Sequence, residues 1–316
     1  MSMLMAQFKA VDNESPVRIE PGSAADSYAV FLIFERSYAD LTRRLGMSEP
    51  TSAADPEALA RTWAIRRSLY EHLAATADQF WLAKHGDETI GFARSILRDG
   101  LRLVTELFIL PDQQSSGLGR ALLARALPAR GTERRWLLAT ADPRAQALYL
   151  KHGLYPQFPV YYLWRQPRRL PPLVSDLVVE AVAPAAAAVQ VMGDIDARLL
   201  NHRRDVDHHW LMSDRQAYLY TRAGRPVGYG YVGHASGPFA LLDAADFPAV
   251  LAQAEDQAAR QGRSHFGLEV PMVNHRAVDY LLAGGFQIDR FMAQFMSDGP
   301  TGRFGNYILT SPPFIL

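Results

Sequence analysis

Along the first 165 residues the spacing of apolar positions switches repeatedly between about two and about 3.6, the periods of a half-buried strand and of a helix with one buried stripe. Period-two runs predict strands near 17–20, 79–97, 101–110, 135–140 and 157–165, the second folded on itself as a hairpin around a polar turn. Helical spacing falls near 24–45, 56–76, 117–130 and 143–152. The resulting order, β, α, α, hairpin, β, α, β, α, β, predicts an α/β chain, more closely an α+β mixed sheet with helices on both faces.

The pattern then repeats. QFWLAKHGDETIGFA from Gln79 matches QAYLYTRAGRPVGYG from Gln216, with Trp81 over Tyr218 and Gly91 over Gly228, an offset of 137. Farther on, Asp142-x-x-Ala145 and Gly153-Leu154 match Asn274-x-x-Ala277 and Gly285-Phe286 at an offset of 132, so five residues are missing from the second copy between these landmarks. The copy starts correspond as well, VRIE at Val17 with LVVE at Leu177, each followed by an alanine-rich amphipathic stretch. Between them RQPRRLPPLVSD, with its prolines and arginines, reads as an extended connector. The division expected is a loosely held tail at 1–16, a first domain at 17–166, a linker at 167–175 and a second domain at 176–316.

Composition narrows the function. At 316 residues two ordinary domains are the expectation, and 48% hydrophobic with 21% charged residues describes a globular chain with real cores. Lys plus Arg and Asp plus Glu are 33 each, so no net field draws the chain to nucleic acid or to an acidic membrane. Cysteine is absent, which excludes disulfides, thiolate metal sites and a cysteine nucleophile. The opening lacks a secretory pattern and no window approaches a membrane span, so a cytoplasmic location is expected.

The stretch carrying the most chemistry is 104–123, VTELFILPDQQSSGLGRALL, where a β-branched and aromatic run meets Pro111, then Gln114-x-x-Gly117-x-Gly119, then a helical pattern. Free N–H groups of such a turn and of the following helix start, with its positive dipole end, suit a pyrophosphate. A nicotinamide fingerprint would want a third glycine, but position 122 is Leu, and an acidic residue about 20 positions on. The second copy has GPFALLDAADFPAVL at the corresponding place, without the glycine pair.

The leading Gln, preceding Pro and glycine spacing resemble motif A of the GCN5-related N-acetyltransferases (GNATs). A second family motif, Asn-x-x-Ala-x-x-Leu-Tyr-x-x-x-Gly-Phe, is matched by Asp142-x-x-Ala145-x-x-Leu148-Tyr149-x-x-x-Gly153-Leu154, with two conservative departures. The resemblance implies two tandem GNAT (acyl-CoA N-acyltransferase) domains, the second degenerate. It further implies that acetyl-CoA is gripped by Gln114, Ser115, Ser116, Gly117, Leu118, Gly119 and Arg120. Backbone N–H groups of Leu107, Phe108 and Ile109 would polarise the acetyl carbonyl, and Asp142 and Ala145 would border the cofactor. Tyr149 would serve the departing thiolate, since a phenol of pKa ~10 can hydrogen-bond or protonate a sulfur whose conjugate acid has pKa ~8.5. Glu106 is the candidate general base. Leu281 replaces Tyr149 in the second copy, so only the first should act.

No metal is expected. The run NHRRDVDHHW at 201–210 mixes His202, His208 and His209 with Asp205 and Asp207, but without helical His-x-x-x-His spacing it reads as a solvated loop that could shape an acceptor site or the domain interface. Tyr155, Phe158, Tyr161, Tyr162 and Trp164 read as core of a final strand or lining of a pocket. The expected activity is direct transfer of an acetyl group to a primary amine of a small molecule or peptide in a ternary complex. The alternatives are a CoA-binding sensor or scaffold without turnover and, less in keeping with the glycines, a nicotinamide-dependent oxidoreductase. Amino acids, polyamines, antibiotics, peptides and thiol-linked metabolites all stand as acceptors, and a homodimer is compatible with the chain.

Overall fold

The computed structural model describes residues 16–47, 53, 55–128 and 134–316, so residues 1–15 of the expected tail and residues 129–130 of the expected third helix lie outside the described residues. The described residues form two compact units, one drawn from 1–95 and 106–128 and the other from 96–105 and 129–316.

In the first unit β1 (Arg18–Pro21) pairs antiparallel with β2 (Ala77–His85), and β3 (Glu88–Arg98) and the far end of β4 (Leu101–Ile109) follow in order. Two helices, α1 (Ser27–Arg44) and α2 (Pro56–Thr76), precede the hairpin. A capping box starts the first: the Ser23 N–H donates to the Asp26 carboxylate at 2.8 Å, so the expected helix at 24–45 opens as a 3-10 turn, Ala24–Asp26. Asp55 caps α2 by accepting from the Glu57 N–H at 3.0 Å, with Pro56 at the first helical position. Val30, Phe31, Phe34, Leu69, Tyr70, Leu73, Phe92 and Leu122 are buried here. The helix after the turn, α3 (Leu118–Ala126), stops four residues short of the expected limit because Pro128 pushes Leu127 out of helical geometry, to φ −120 and ψ 63.

In the second unit the start of β4 pairs in parallel with β5 (Arg134–Ala139), and the order continues through β12 (Gln287–Ser297), β6 (Tyr155–Arg165) and β11 (Phe266–Pro271), all antiparallel. This order reveals what the repeat alone does not. β6 closes the first copy, yet it lies between β12 and β11 of the second; β12 closes the second copy, yet it lies against β5 of the first. The two copies have exchanged their last strands. Residues 166–177, joining β6 to β7 (Val178–Val182), have no regular structure, as the prolines require, but they are fastened: the Arg168 N–H donates to Glu255 at 2.9 Å and Arg169 pairs with Asp256 at 2.8 Å.

A second, five-stranded antiparallel sheet has the order β13-β10-β9-β8-β7, with β8 (Gln216–Arg222), β9 (Arg225–Val232), β10 (Phe239–Leu241) and β13 (Tyr307–Ile308). Where the first copy has the nine-residue β4, β10 has three; Pro238 before it lacks a ladder donor and Asp243 after it caps a 3-10 turn. α5 (Ala186–Leu200), α6 (Asp205–Asp214), α7 (Phe247–Arg260) and α8 (His275–Ala283) complete this copy, and α4 (Pro143–Lys151) belongs to the first. A core containing Leu163, Tyr220, Val232, Phe239, Phe247, Leu251, Phe266, Leu268 and Leu281 draws on both copies. Among the described residues no helix is long and apolar enough to cross a membrane.

Candidate active site

The turn between β4 and α3 takes the shape its residues predict. A 3-10 turn, Pro111–Gln113, is followed by extended Gln114, whose side-chain amide donates to the Ile109 carbonyl at 3.0 Å and ties the turn to the strand. Ser115 and Gly117 both have positive φ, +67° and +85°, and Ser116 Oγ donates to the Gln113 carbonyl at 3.0 Å. Gly117 is the N-cap of α3 without a side-chain cap bond, and a β-carbon on it would meet nothing within 4 Å. Its glycine is therefore required by left-handed backbone, while the space beside it is open. The first intrahelical bond is from the Ala121 N–H to the Gly117 carbonyl, at 3.2 Å, so the N–H groups of Leu118, Gly119 and Arg120 lack helical acceptors and sit at the positive end of the dipole. That is the donor set a diphosphate needs. Arg120 is exposed and Leu118 anchors the helix in the core.

Registered β4–β5 pairs run from Leu101↔Arg134 to Val104↔Leu137, whereas β4 itself continues to Ile109. Leu107, Phe108 and Ile109 thus lie on the part of the strand beyond the parallel register. On its other side Gly91 of β3 lies close: a β-carbon there would come within 3.1 Å of the Phe108 carbonyl and the Ile109 side chain. The Phe108 ring is held edge-on to Phe34 at 5.0 Å and beside Phe92 at 6.0 Å, and the Ile109 carbonyl accepts from Ser37 Oγ at 3.1 Å.

Glu106 is 2% exposed, and its carboxylate accepts from Arg94 Nε at 2.8 Å; both side chains of this ion pair are fully buried. Arg94 also donates to the Tyr70 carbonyl at 3.2 Å. Glu106, the candidate general base, thus stands in a charge pair that locks β3 to β4.

In the second unit Asp142 caps α4, accepting from the Arg144 N–H at 2.9 Å and pairing with its guanidinium at 2.8 Å. Ala145 lies half-buried one turn in. Tyr149 is the buried residue of this helix, and burial, reinforced by the Asp142 charge, raises its phenol well above the usual range, so it stays protonated. Leu281 occupies the matching place on α8, fully buried, and Asn274 caps that helix through the Ala277 N–H at 3.1 Å. At the deleted loop of the second copy, Asp243 caps the 3-10 turn Ala244–Asp246 through the Ala245 N–H at 2.9 Å, and that turn runs directly into α7, with the Phe247 N–H donating to the Ala244 carbonyl.

The stretch 201–210 departs from its reading as a solvated loop. Its second half opens α6, and His202, Arg204, Asp207 and His208 are buried. The Asp196 carboxylate accepts from Arg204 Nε at 2.7 Å, lies 2.9 Å from His208 Nε2 and accepts from the Tyr229 hydroxyl; Arg204 reaches Tyr307 Oη at 2.6 Å, and Arg98 pairs with Asp207 at 2.8 Å. The charges neutralise one another, which is why burial is tolerated. Asp207, His208 and Leu211 fall on one buried face of α6 at i, i+1, i+4, the signal that could have shown it. Among the β6 aromatics, Phe158 stacks on Phe295 at 4.8 Å in the core and Tyr155 is 59% exposed.

Comparison with known proteins agrees with this geometry. Residues 76–153 match the family model described as an acetyltransferase (GNAT) domain. No curated protein sequence matches the chain. Among solved structures, a Pyrococcus horikoshii protein assigned as an acetyltransferase is similar at 16% identity and TM-score 0.68, over 96% of each chain. A tandem GNAT protein from the clavulanic acid biosynthesis pathway is similar at 14% identity and TM-score 0.57, over 90% of this chain and 100% of that one. A GCN5-related N-acetyltransferase from Sphaerobacter thermophilus is similar at 16% identity and TM-score 0.57, over 89% and 95%. The GNAT fold is that of acyltransferases. Residues 76–153 are thus a GNAT domain, in a chain that has the tandem-GNAT fold and two GNAT-like halves.

Proposed function

We propose that the chain is an N-acetyltransferase that moves the acetyl group of acetyl-CoA directly to a primary amine of a small molecule or peptide, using its first copy alone. The observation carrying this is the uncapped start of α3 at left-handed Gly117, with open space beside it and three N–H groups lacking helical acceptors. Those donors would take the diphosphate, with Gln114, Ser115 and Ser116 shaping the turn and Arg120 adding charge. Acetyl-CoA supplies the activated acyl carbonyl. N–H groups of Leu107, Phe108 and Ile109, beyond the β4–β5 register, would donate to the carbonyl oxygen as it gains charge.

Tyr149 is assigned to the departing sulfur. Because its phenol is held above pKa ~10 while a thiol lies near ~8.5, it acts by donating a hydrogen bond rather than by surrendering its proton outright. Asp142 and Ala145 orient that helix start. Glu106 fastens β3 to β4 through Arg94, and the role of base read from the sequence requires in addition a water path to its carboxylate. The second copy, without the glycine pair of the turn and with Leu281 in the place of the phenol, keeps a structural task.

Calorimetric titration with acetyl-CoA tests the reading: one site per chain, followed by CoA release that depends on added amine. Binding without amine-dependent release across an amine panel would instead assign a sensor or scaffold. Two sites per chain would refute the single active copy.

A further inference from the structure

On the face of β6 and β11 away from the core, Tyr162 and Trp164 occupy adjacent same-side positions, with Glu269 directly opposite Tyr162 and Gly267 opposite Trp164. Leu163, Leu268 and Val270, on the alternate positions, fill the core. His265 stacks on Trp164 with ring centroids 5.0 Å apart, and its Nε2 lies 2.7 Å from the Tyr162 hydroxyl, so the three rings form one aromatic platform. Gly267 makes room for it, because a β-carbon there would collide with the Tyr162 phenol.

On the other side of Tyr162 the strand register breaks. Ile288 pairs with Leu163 and Met292 with Tyr161, which leaves Asp289, Arg290 and Phe291 opposite the single Tyr162. The Asp289 carboxylate accepts from the Phe291 N–H at 2.7 Å and holds this bulge. Glu269 and Asp289 therefore flank Tyr162, act on each other as like charges, and have no ion-pair partner among the described residues. Burial and the Asp289 charge push the Glu269 carboxyl up to about 8. At neutral pH Glu269 therefore holds its proton beside Asp289, and a cation lying against the rings would take the place of that proton. Among the described residues no group of three or more metal-ligating side chains converges, so the cation that fits is organic.

We propose that Glu269, Asp289 and the Tyr162–Trp164–His265 platform form a second ligand site, in which an organic ammonium places its charge against the carboxylates and its apolar part against the rings. It goes beyond the acetyl-transfer reading and does not depend on it.

The probe is benzylammonium chloride, titrated calorimetrically into the full chain without acetyl-CoA. One saturable site per chain is expected, with affinity falling at least about tenfold in Glu269→Gln, in Asp289→Asn and for the uncharged analogue benzyl alcohol. Since the cation favours ionised Glu269, binding at pH 7 should release protons, seen as a heat that varies with the ionisation enthalpy of the buffer. Gly117→Glu should bind the probe unchanged, which separates this site from the acetyl-CoA turn. Absence of saturable binding, or equal binding by wild type and by both folded carboxylate variants, would overturn the proposal.

Discussion

Arg94 and Glu106 face each other across β3 and β4 with neither side chain reaching solvent, a fully buried ion pair at the strand that leads into the turn. Removing one member leaves the other charge without compensation, so Arg94→Met should cost about 3–5 kcal/mol, read from urea unfolding. Glu106→Gln separates its two roles. As a general base its loss removes the acid limb of the pH profile of kcat/KM; as a fastener it lowers stability and leaves the shape of that profile intact.

Gly117→Ala introduces a β-carbon into open space, so its whole penalty is backbone strain of about 1–2 kcal/mol. Acetyl-CoA should still bind, more weakly. Gly117→Glu, which adds a negative charge at the uncapped helix start, should abolish binding in a calorimetric titration, and normal saturation would remove the turn from the phosphate role.

Tyr149→Phe deletes one buried hydroxyl and leaves the ring. Turnover should fall roughly 10²-fold with little change in acetyl-CoA affinity, since the phenol is assigned to the departing sulfur and not to binding. Unchanged kcat would dismiss the assignment.

Burial holds the His202 imidazole down at about 4, so the folded chain keeps it neutral while the unfolded chain protonates near 6.5. Between those values the unfolded state binds more protons, and stability falls as the pH drops through this window. The loss is on the order of 3 kcal/mol by pH 4. Urea midpoints at pH 7, 5 and 4 should show that His202→Gln flattens the dependence; an equally steep fall in the variant would place the titration elsewhere.

Much of the candidate site could be read directly from the chain. Pro111 and Gly117 punctuate strand, turn and helix where the backbone requires them, and Asp142-Pro143 announces a helix start that the structure caps through Asp142. Burial of charge was less visible. Glu106 and the residues 202–208 look polar one at a time, and only partners distant in sequence, Arg94, Asp196 and Tyr229, make their burial tolerable. Strand partnership was invisible for a related reason: alternation tells which face of β6 is apolar, but not which neighbour its edges meet.

The traded places of β6 and β12 bear on what this protein can afford to lose. Cut anywhere in residues 166–177, either fragment would keep a sheet with a raw edge and a strand with no home, so the halves are heirs to a joint estate. The later copy can shed its loop and its hydroxyl, and still could not be deleted without dismantling the sheet that holds β5 and β6 of the earlier one.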